Sequence, residues 1–241
     1  KGDFDYINEV GLDMEKGLVY FIATPENFTQ RYLYQAKLFG KGEVKRLSPA
    51  DQAGQHRYNM SPTGKWAVHT FSNTETPPVI DMVSFPGHKS VRLITDNAEA
   101  KKQYEALGLQ PKEFFKARSG ELLLDGWMIK PVNFDATKKY PVVMLQYSGP
   151  TSQRVLNNWR KRFGYALADA GYLVVNVDGR GTGARGREWR NATYMQLGVK
   201  EAEDQISAAK YLKTLPYVDG NRMAICGWSY GGYQTLMCLS K

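Results

Sequence analysis

Short apolar runs separated by turn-forming residues follow one another through the first 95 residues of the chain. The runs are rich in β-branched and aromatic residues, a composition typical of strands. They read GLVYFIAT, RYLYQAKLF, EVKRLS, GKWAVHTF, PPVIDMVSF and SVRLIT. GKG joins the second run to the third and PGHK joins the last two, so each connection is a hairpin signal. The pattern predicts an all-β region without a helix.

A weak internal repeat runs through this β-rich region. KLFGKGEVKRLS resembles VSFPGHKSVRLIT, with Leu47 lying 46 residues before Leu93, and GLVYFIAT is offset from GKWAVHTF by a similar amount. This period fits one four-stranded blade of a β-propeller. Two blades cannot close a ring that typically needs about four or more, so we expect the end of a larger propeller. A β-sandwich with accidental similarity between its strands is the alternative.

Residues 96–111, DNAEAKKQYEALGLQP, are polar and helix-forming, and the helical pattern stops at Gly108 and Pro111. After them, buried strands alternate with helices. The predicted elements are a hairpin turning at Ser119 and Gly120, the strands YPVVMLQY, YLVVNVDG and NRMAICG, and the helices NNWRKRFGYALADAG and VKEAEDQISAAKYLKTL. This alternation predicts a mostly parallel sheet with helical crossovers. We therefore expect one domain over residues 1–108, linker included, and a second over residues 109–241.

The stretch from Gly227 to Gly231 fits the pattern G-x-S-x-G, with Ser229 at its centre. In a nucleophile elbow, a strand turns sharply into a helix and presents the serine hydroxyl at the apex. Glycines two residues to either side remove the β-carbons that would collide across such a turn. Because the apolar run MAIC precedes the motif and a helix-compatible run follows it, we interpret Ser229 as a nucleophile.

A serine nucleophile needs a general base, and in α/β-hydrolases an acid and then a histidine follow it along the chain. All three histidines, His56, His69 and His88, precede Ser229 and lie in the β-rich region. We expect them to be structural or at the surface. The acid and the base are therefore expected beyond Lys241, and the 241 residues alone are predicted to be inactive.

The charge, the apolar runs, the cysteines and the histidines indicate which kinds of binding are not expected. The net charge is +8, but lysines and arginines are scattered and no module of interleaved aromatic and basic residues is present, so nucleic-acid binding is not expected. No apolar run is long enough to span a membrane, so this segment is expected to make no membrane contact. The cysteines Cys226 and Cys238 read as small buried hydrophobes. The dispersed histidines indicate no metal site.

Four stretches in this order resemble the prolyl oligopeptidase family of serine peptidases, most closely its dipeptidyl peptidase IV branch. They are SPTGKWAVHTFSNTETPP, YPVVMLQYSGPTSQ, VVNVDGRGTGARG and GWSYGGY. The resemblance implies an incomplete α/β-hydrolase fold preceded by β-propeller blades. It also implies a serine exopeptidase that needs no cofactor and releases dipeptides from peptide substrates, often after proline or alanine, through an acyl-enzyme.

The same resemblance assigns three catalytic residues. Ser229 matches the nucleophile, Tyr230 the residue whose backbone N–H forms half of the oxyanion hole, and Tyr147 the tyrosine whose hydroxyl supplies the other half. A phenol is a neutral donor at neutral pH, which suits this role. The alternative for Tyr147 is an aromatic residue packed at the end of a strand. Arg180 is expected to pair with a carboxylate, and Trp228 to pack beneath the elbow.

Other readings stay open at this point. An acylaminoacyl peptidase, an oligopeptidase of the same family, and an esterase on the same fold would use the same serine. A non-catalytic binding segment is the alternative outside enzymes. The resemblance further implies a periplasmic or extracellular protein and a homodimer.

Overall fold

The computed structural model describes residues 2–160 and 163–241, which form two compact units. The first unit contains two four-stranded antiparallel sheets, each with its strands in chain order. The first sheet consists of β1 (Tyr6–Asp13), β2 (Leu18–Ala23), β3 (Tyr32–Lys37) and β4 (Lys45–Arg46). The second consists of β5 (Gln55–Met60), β6 (Trp66–Ser72), β7 (Val79–Ser84) and β8 (Lys89–Thr95). The predicted strands and both predicted hairpins are confirmed.

Side chains from the two sheets share one core within this unit. Tyr20, Ile22 and Leu33 of the first sheet are buried, and Tyr58 and Met60 of β5 pack against them. Such alternation of inward and outward residues along antiparallel strands buries one face of a sheet. The polar segment that follows forms the helix α1 (Ala98–Ala106), which has no buried residue.

The second unit comprises residues 105–155 and 163–241 of the described chain and is built around one five-stranded sheet. Its strands are β9 (Glu113–Ser119), β10 (Leu122–Ile129), β11 (Tyr140–Leu145), β12 (Leu173–Asp178) and β13 (Val218–Cys226), in the spatial order β13-β11-β12-β10-β9. β11 pairs in parallel with β12 and β13, whereas β10 pairs in antiparallel fashion with β12 and β9. The sheet is therefore a parallel core with the predicted hairpin at one edge.

In the part of this unit that the structure describes, four helices accompany the sheet: α2 (Phe163–Asp169), α3 (Gly186–Asn191), α4 (Val199–Lys213) and α5 (Tyr230–Leu239). The sequence predicts that the first of them begins near Asn157, but residues 157–160 are not helical, and the side chain of Asn157 accepts a hydrogen bond from Thr74 N. The first turn expected for that helix includes Lys161 and Arg162, which lie outside the described residues. Gly171 ends the segment in the left-handed conformation (φ 92°), as expected.

Every residue of the central strand β12 is buried, whereas β13 lies at an edge of the sheet and is largely half-buried or exposed. The expectations that β13 is a buried strand and Cys226 a buried hydrophobe are therefore wrong, since Cys226 is exposed. Within the described residues, no helix combines the length and apolar composition required to cross a membrane. The described residues also hold no cluster of histidine, cysteine and acidic side chains suited to a metal ion.

Candidate active site

The backbone turns sharply at Ser229, between the end of β13 and the start of α5. Ser229 has φ 56° and ψ −122°, a conformation that L-residues rarely adopt, and its side chain is exposed. Backbone strain of this kind persists only where the surroundings enforce it, and it concentrates at functional sites. The strand–turn–helix arrangement expected around the motif is present.

Gly227 and Gly231 allow this turn to close. A β-carbon on Gly231 would lie 2.5 Å from the carbonyl oxygen of Gln146 and 3.2 Å from Cα of Tyr147. One on Gly227 would lie 2.7 Å from the carbonyl group of Gly231. Neither glycine is needed for a left-handed backbone. They are needed because main chain packs against main chain, both within the elbow and against the end of β11.

Gln146 ties the end of β11 to the elbow, a contact that sequence reasoning missed. Its backbone N–H donates to the carbonyl of Cys226 (3.0 Å), and its side-chain Nε2 donates to the carbonyl of Gly231 (2.5 Å) and to Thr235 Oγ1 (3.2 Å). The side chain of Gln146 is buried, so water does not compete for these hydrogen bonds. The signal that could have revealed it is a polar residue closing the apolar run YPVVML.

Tyr147 comes next in the chain and lies beside the elbow. The centres of the Tyr147 and Tyr230 rings are 6.3 Å apart. The guanidinium carbon of Arg154 lies 4.5 Å from the centre of the Tyr147 ring, within the range of a cation–π interaction. A β-carbon on Gly149 would lie 2.6 Å from the same ring, so only glycine leaves the space that the ring occupies. The structure thus brings Tyr147 and the elbow together.

Tyr230 occupies the first position of α5, where backbone N–H groups have no acceptor within the helix. Its hydroxyl donates to Oε1 of the fully buried Glu201 (2.8 Å), and the other carboxylate oxygen accepts from the N–H of Gly198 (2.9 Å). Burial and the bond to Glu201 raise the pKa of the Tyr230 phenol above its ordinary value. Because the hydroxyl is engaged, the backbone N–H is the group that Tyr230 can offer at the elbow.

The glycine-rich stretch after β12 has a structural role. The guanidinium of Arg180 donates to both carboxylate oxygens of Asp204 (2.7 to 3.2 Å), and its backbone N–H donates to Oδ2 (2.7 Å). Asp204 is fully buried and also accepts from Ser119 Oγ (2.8 Å). These bonds raise the pKa of Arg180. The predicted pairing of Arg180 with a carboxylate is confirmed.

Trp228 is 88 % exposed, so the expectation that it packs beneath the elbow is wrong. Trp228 lies between the end of β13 and Ser229, which is also exposed. The exposed serine and its exposed neighbour form one face of the elbow.

The three histidines lie in the first unit and form a cluster on β5, β6 and the loop after β7, in which His56 and His69 are buried and His88 is half-buried. His56 Nδ1 lies 2.9 Å from His69 Nε2, and His88 Nε2 lies 2.7 Å from the hydroxyl of Tyr58. Sequence reasoning treated them as dispersed. The strand register could have indicated the cluster, because Tyr58 and His69 are direct partners across β5 and β6.

Two family models and many known proteins match the sequence of this chain. Residues 159–241 match the model of the prolyl oligopeptidase family, and residues 1–78 match that of the dipeptidyl peptidase IV N-terminal region. A probable dipeptidyl-aminopeptidase B of Metarhizium robertsii is 39% identical over 95% of this chain, and one of Penicillium rubens is 37% identical over 100%. The chain spans about a quarter of the length of these relatives (25% and 27%).

Solved structures also match almost the whole chain, and two of them serve as examples. The crystal structure of Porphyromonas gingivalis dipeptidyl peptidase 4 has a TM-score of 0.93 and 41% identity, covering 99% of this chain and 33% of that one. A putative dipeptidyl aminopeptidase IV from Bacteroides ovatus has a TM-score of 0.87 and 27% identity, covering 99% and 34%. The two antiparallel sheets are thus β-propeller blades, and the second unit is part of an α/β-hydrolase fold. The predicted fold class is confirmed, and the β-sandwich alternative is excluded.

Proposed function

Because the chain belongs to the prolyl oligopeptidase family, we propose that the protein is a serine exopeptidase that releases N-terminal dipeptides, preferentially after proline or alanine. In this proposal residues 1–108 are the end of a propeller with its linker, and residues 109–241 are the start of the catalytic domain. The observation that carries the proposal is the strained, exposed Ser229 at a strand–helix turn beside Tyr147.

The proposed reaction begins with attack of Ser229 Oγ on the carbonyl carbon of the scissile bond. A C–O bond forms, the hydroxyl proton passes to a general base, and the carbonyl electron pair moves onto oxygen. The Tyr147 hydroxyl and the backbone N–H of Tyr230 donate hydrogen bonds to that oxyanion. When this tetrahedral intermediate collapses, the C–N bond breaks and the leaving amine takes the proton from the general base. Water then hydrolyses the acyl-enzyme and releases the dipeptide.

The general base is the part of this reaction that the second unit does not supply. The chain has three histidines, and all of them precede residue 105, where that unit begins. We therefore propose that the 241 residues by themselves do not hydrolyse peptides, whereas the protein at its natural length does. Peptide hydrolysis by the 241-residue chain that disappears in Ser229→Ala would contradict this part of the proposal.

Covalent labelling tests the nucleophile directly. The protein at its natural length is treated with a fluorophosphonate probe, and the modified peptide is identified by mass spectrometry. Labelling is expected at Ser229 and is expected to be lost in Ser229→Ala but retained in Ser240→Ala, a serine at the other end of α5. Absence of label at Ser229 in an otherwise folded protein would refute the assignment.

Substrate comparison tests the reaction class. Turnover of a Gly-Pro anilide is expected to exceed that of the same anilide with its amino group acetylated and that of a short acyl ester. Preference for the acetylated substrate would indicate an acylaminoacyl peptidase instead. Preference for the ester would indicate an esterase.

A further inference from the structure

Two loops at the end of the sheet in the second unit are bonded to each other. We call residues 147–155 the Tyr147 loop and residues 178–183 the Asp178 loop. Thr151 N–H donates to the carbonyl of Gly181 (2.8 Å), and Gly183 N–H donates to the carbonyl of Ser152 (3.0 Å). The first loop carries the proposed oxyanion donor, and the second begins at Asp178, the last residue of β12. A change in the Asp178 loop can therefore reach Tyr147 through hydrogen bonds.

Asp178 holds the far end of the Tyr147 loop. Its Oδ2 accepts from the backbone N–H of Val155 (2.7 Å) and of Arg154 (2.9 Å), and Oδ1 accepts from the latter at 3.1 Å. Asp178 is buried, and Val155 is fully buried. Both carboxyl oxygens therefore accept backbone N–H groups, and bonds of this kind are shorter and about twice as strong when the acceptor is ionised. The carboxylate thus fixes two successive backbone groups of the loop.

The residue fixed in this way covers the ring of Tyr147. The backbone of Arg154 is held by Asp178 at its N–H and by Trp127 at its carbonyl, which accepts from Nε1 (3.1 Å). Its guanidinium carbon lies 4.5 Å from the centre of the Tyr147 ring, while Gly149 borders the same ring closely. The orientation of the phenol therefore depends on where Arg154 lies, and Arg154 lies where Asp178 places it.

We propose that Asp178 is a positioning residue for the oxyanion hole: by holding the backbone of residues 154 and 155, its carboxylate sets Arg154 against the ring of Tyr147 and so aims the phenol. This inference rests on the proposed role of Tyr147 as an oxyanion donor. It adds a residue that does not touch the substrate and acts through the loop alone.

The electrostatic surroundings agree with a functional role. Burial raises the pKa of Asp178 to about 7, the N–H groups of Val155 and Arg154 oppose the rise, and the carboxylate of Asp125 adds to it. Asp125 lies directly across from Asp178 in the pairing of β10 with β12, and it is itself paired with Lys116 and Arg185. A buried carboxyl group whose pKa is shifted this far by burial and by a neighbouring charge is typical of functional sites.

A double-mutant cycle tests the inference on the protein at its natural length. The variants are Tyr147→Phe, Asp178→Asn and the combination of both, assayed for kcat and KM on a Gly-Pro anilide. Tyr147→Phe is expected to lower kcat about 100- to 1000-fold, as loss of one oxyanion donor does. Asp178→Asn is expected to lower kcat about tenfold through misplacement, with KM changed less than about twofold. In the Tyr147→Phe background, the same Asn substitution is expected to change kcat less than about twofold.

Two further variants complete the design. Arg154→Met removes the guanidinium from the ring of Tyr147 without touching the bonds of Asp178, and Arg154 is exposed, so folding is preserved. It is expected to lower kcat roughly threefold when Tyr147 is present but not in the Tyr147→Phe background, which tests the same route if Asp178→Asn does not fold. Asp135→Asn is the matched control: this carboxylate also accepts a loop N–H, that of Thr137 (2.9 Å), and its loss is expected to leave kcat unchanged.

The outcomes separate the inference from the proposed function. If Tyr147→Phe leaves kcat unchanged, or the protein has no turnover, the proposed function fails and the inference falls with it. If Tyr147→Phe lowers kcat but the effects of Asp178→Asn and Arg154→Met are absent or simply multiply with it, the inference alone is overturned. Loss of both effects in the Tyr147→Phe background supports it.

Discussion

Replacing Asp178 by asparagine is expected to change how the stability of the chain depends on pH. As pH rises, the variant is expected to gain stability relative to the unsubstituted chain, although the substitution removes a well-bonded side chain. Burial holds the pKa of Asp178 at about 7 in the folded chain, against an ordinary value of 3.8 for an aspartate. Below pH 3.8 the carboxyl group is protonated in both the folded and the unfolded chain. As pH rises toward 7, the unfolded chain releases this proton while the folded chain retains it. The free energy of unfolding therefore decreases over this range.

The magnitude follows from the same two values. The interval from 3.8 to about 7, at about 1.4 kcal/mol for each pH unit, corresponds to about 4 kcal/mol of stability that is present at low pH and lost above pH 7. Between about pH 5 and pH 8 the loss is about 3 kcal/mol. Asparagine does not titrate, so the variant lacks this loss. The change with pH in the stability difference between the two proteins therefore reports chiefly on Asp178.

Thermal unfolding of the 241-residue chain and of Asp178→Asn, followed by calorimetry from about pH 5 to pH 8, measures this difference. Relative to the unsubstituted chain, the Tm of the variant is expected to rise by roughly 5 to 10 °C across that interval, since about 1 kcal/mol shifts Tm by about 2–4 °C in a chain of this size. Asp125→Asn is a useful companion, because removing the opposing carboxylate should lower the pKa of Asp178 and flatten the trend. A Tm difference that stays constant with pH, or falls, would refute the reasoning.

Three further substitutions test the elbow and the core of the second unit. Gly231→Ala puts a β-carbon 2.5 Å from the carbonyl oxygen of Gln146, and because both partners are backbone we expect a loss of about 2–4 kcal/mol in urea unfolding; a loss below about 1 kcal/mol would contradict this. Tyr230→Phe removes the hydrogen bond to buried Glu201 and is expected to lower the free energy of unfolding by about 1.5–3 kcal/mol, seen as a lower Tm. Fluorophosphonate labelling is expected to persist, because the proposed oxyanion donor is the backbone N–H of Tyr230. Loss of labelling in a folded variant would argue against that role of the N–H. Leu212→Ala empties a fully buried position and should cost about 2–5 kcal/mol, measured by urea unfolding, with an unchanged midpoint as the contrary result.

The parts of the fold that sequence reasoning predicted are those whose causes are local. Strands are recognised from short apolar runs between turns, and the elbow from two glycines at fixed distances from a serine. In both cases the partners that impose the pattern are neighbours in the chain, or are main-chain atoms common to every sequence. Gly231 illustrates this, because any side chain there would meet backbone whatever the surrounding residues are.

Contacts between distant segments escaped prediction. Gln146 bonds to Gly231, 85 residues away, and nothing in either local pattern indicates the pairing. The helix α4 shows the same limit. Its sequence predicted a helix, but Glu201, Asp204 and Gln205 are among its most buried residues. Polar residues on a helix are normally read as solvated, whereas these are buried because each has partners on other elements.

The histidines of the second blade show how such partners decide function as well as fold. Nε2 of His56 lies 2.8 Å from the carbonyl oxygen of Gln52, so it carries the proton, and Nδ1 must accept from Nε2 of His69. The remaining nitrogen of His69, Nδ1, lies 2.9 Å from a carboxylate oxygen of Asp81. Burial lowers the pKa of His56 to about 3, which keeps its ring neutral as this chain of bonds requires. All four ring nitrogens are therefore committed within the blade, and neither histidine has one left to serve as the general base for Ser229.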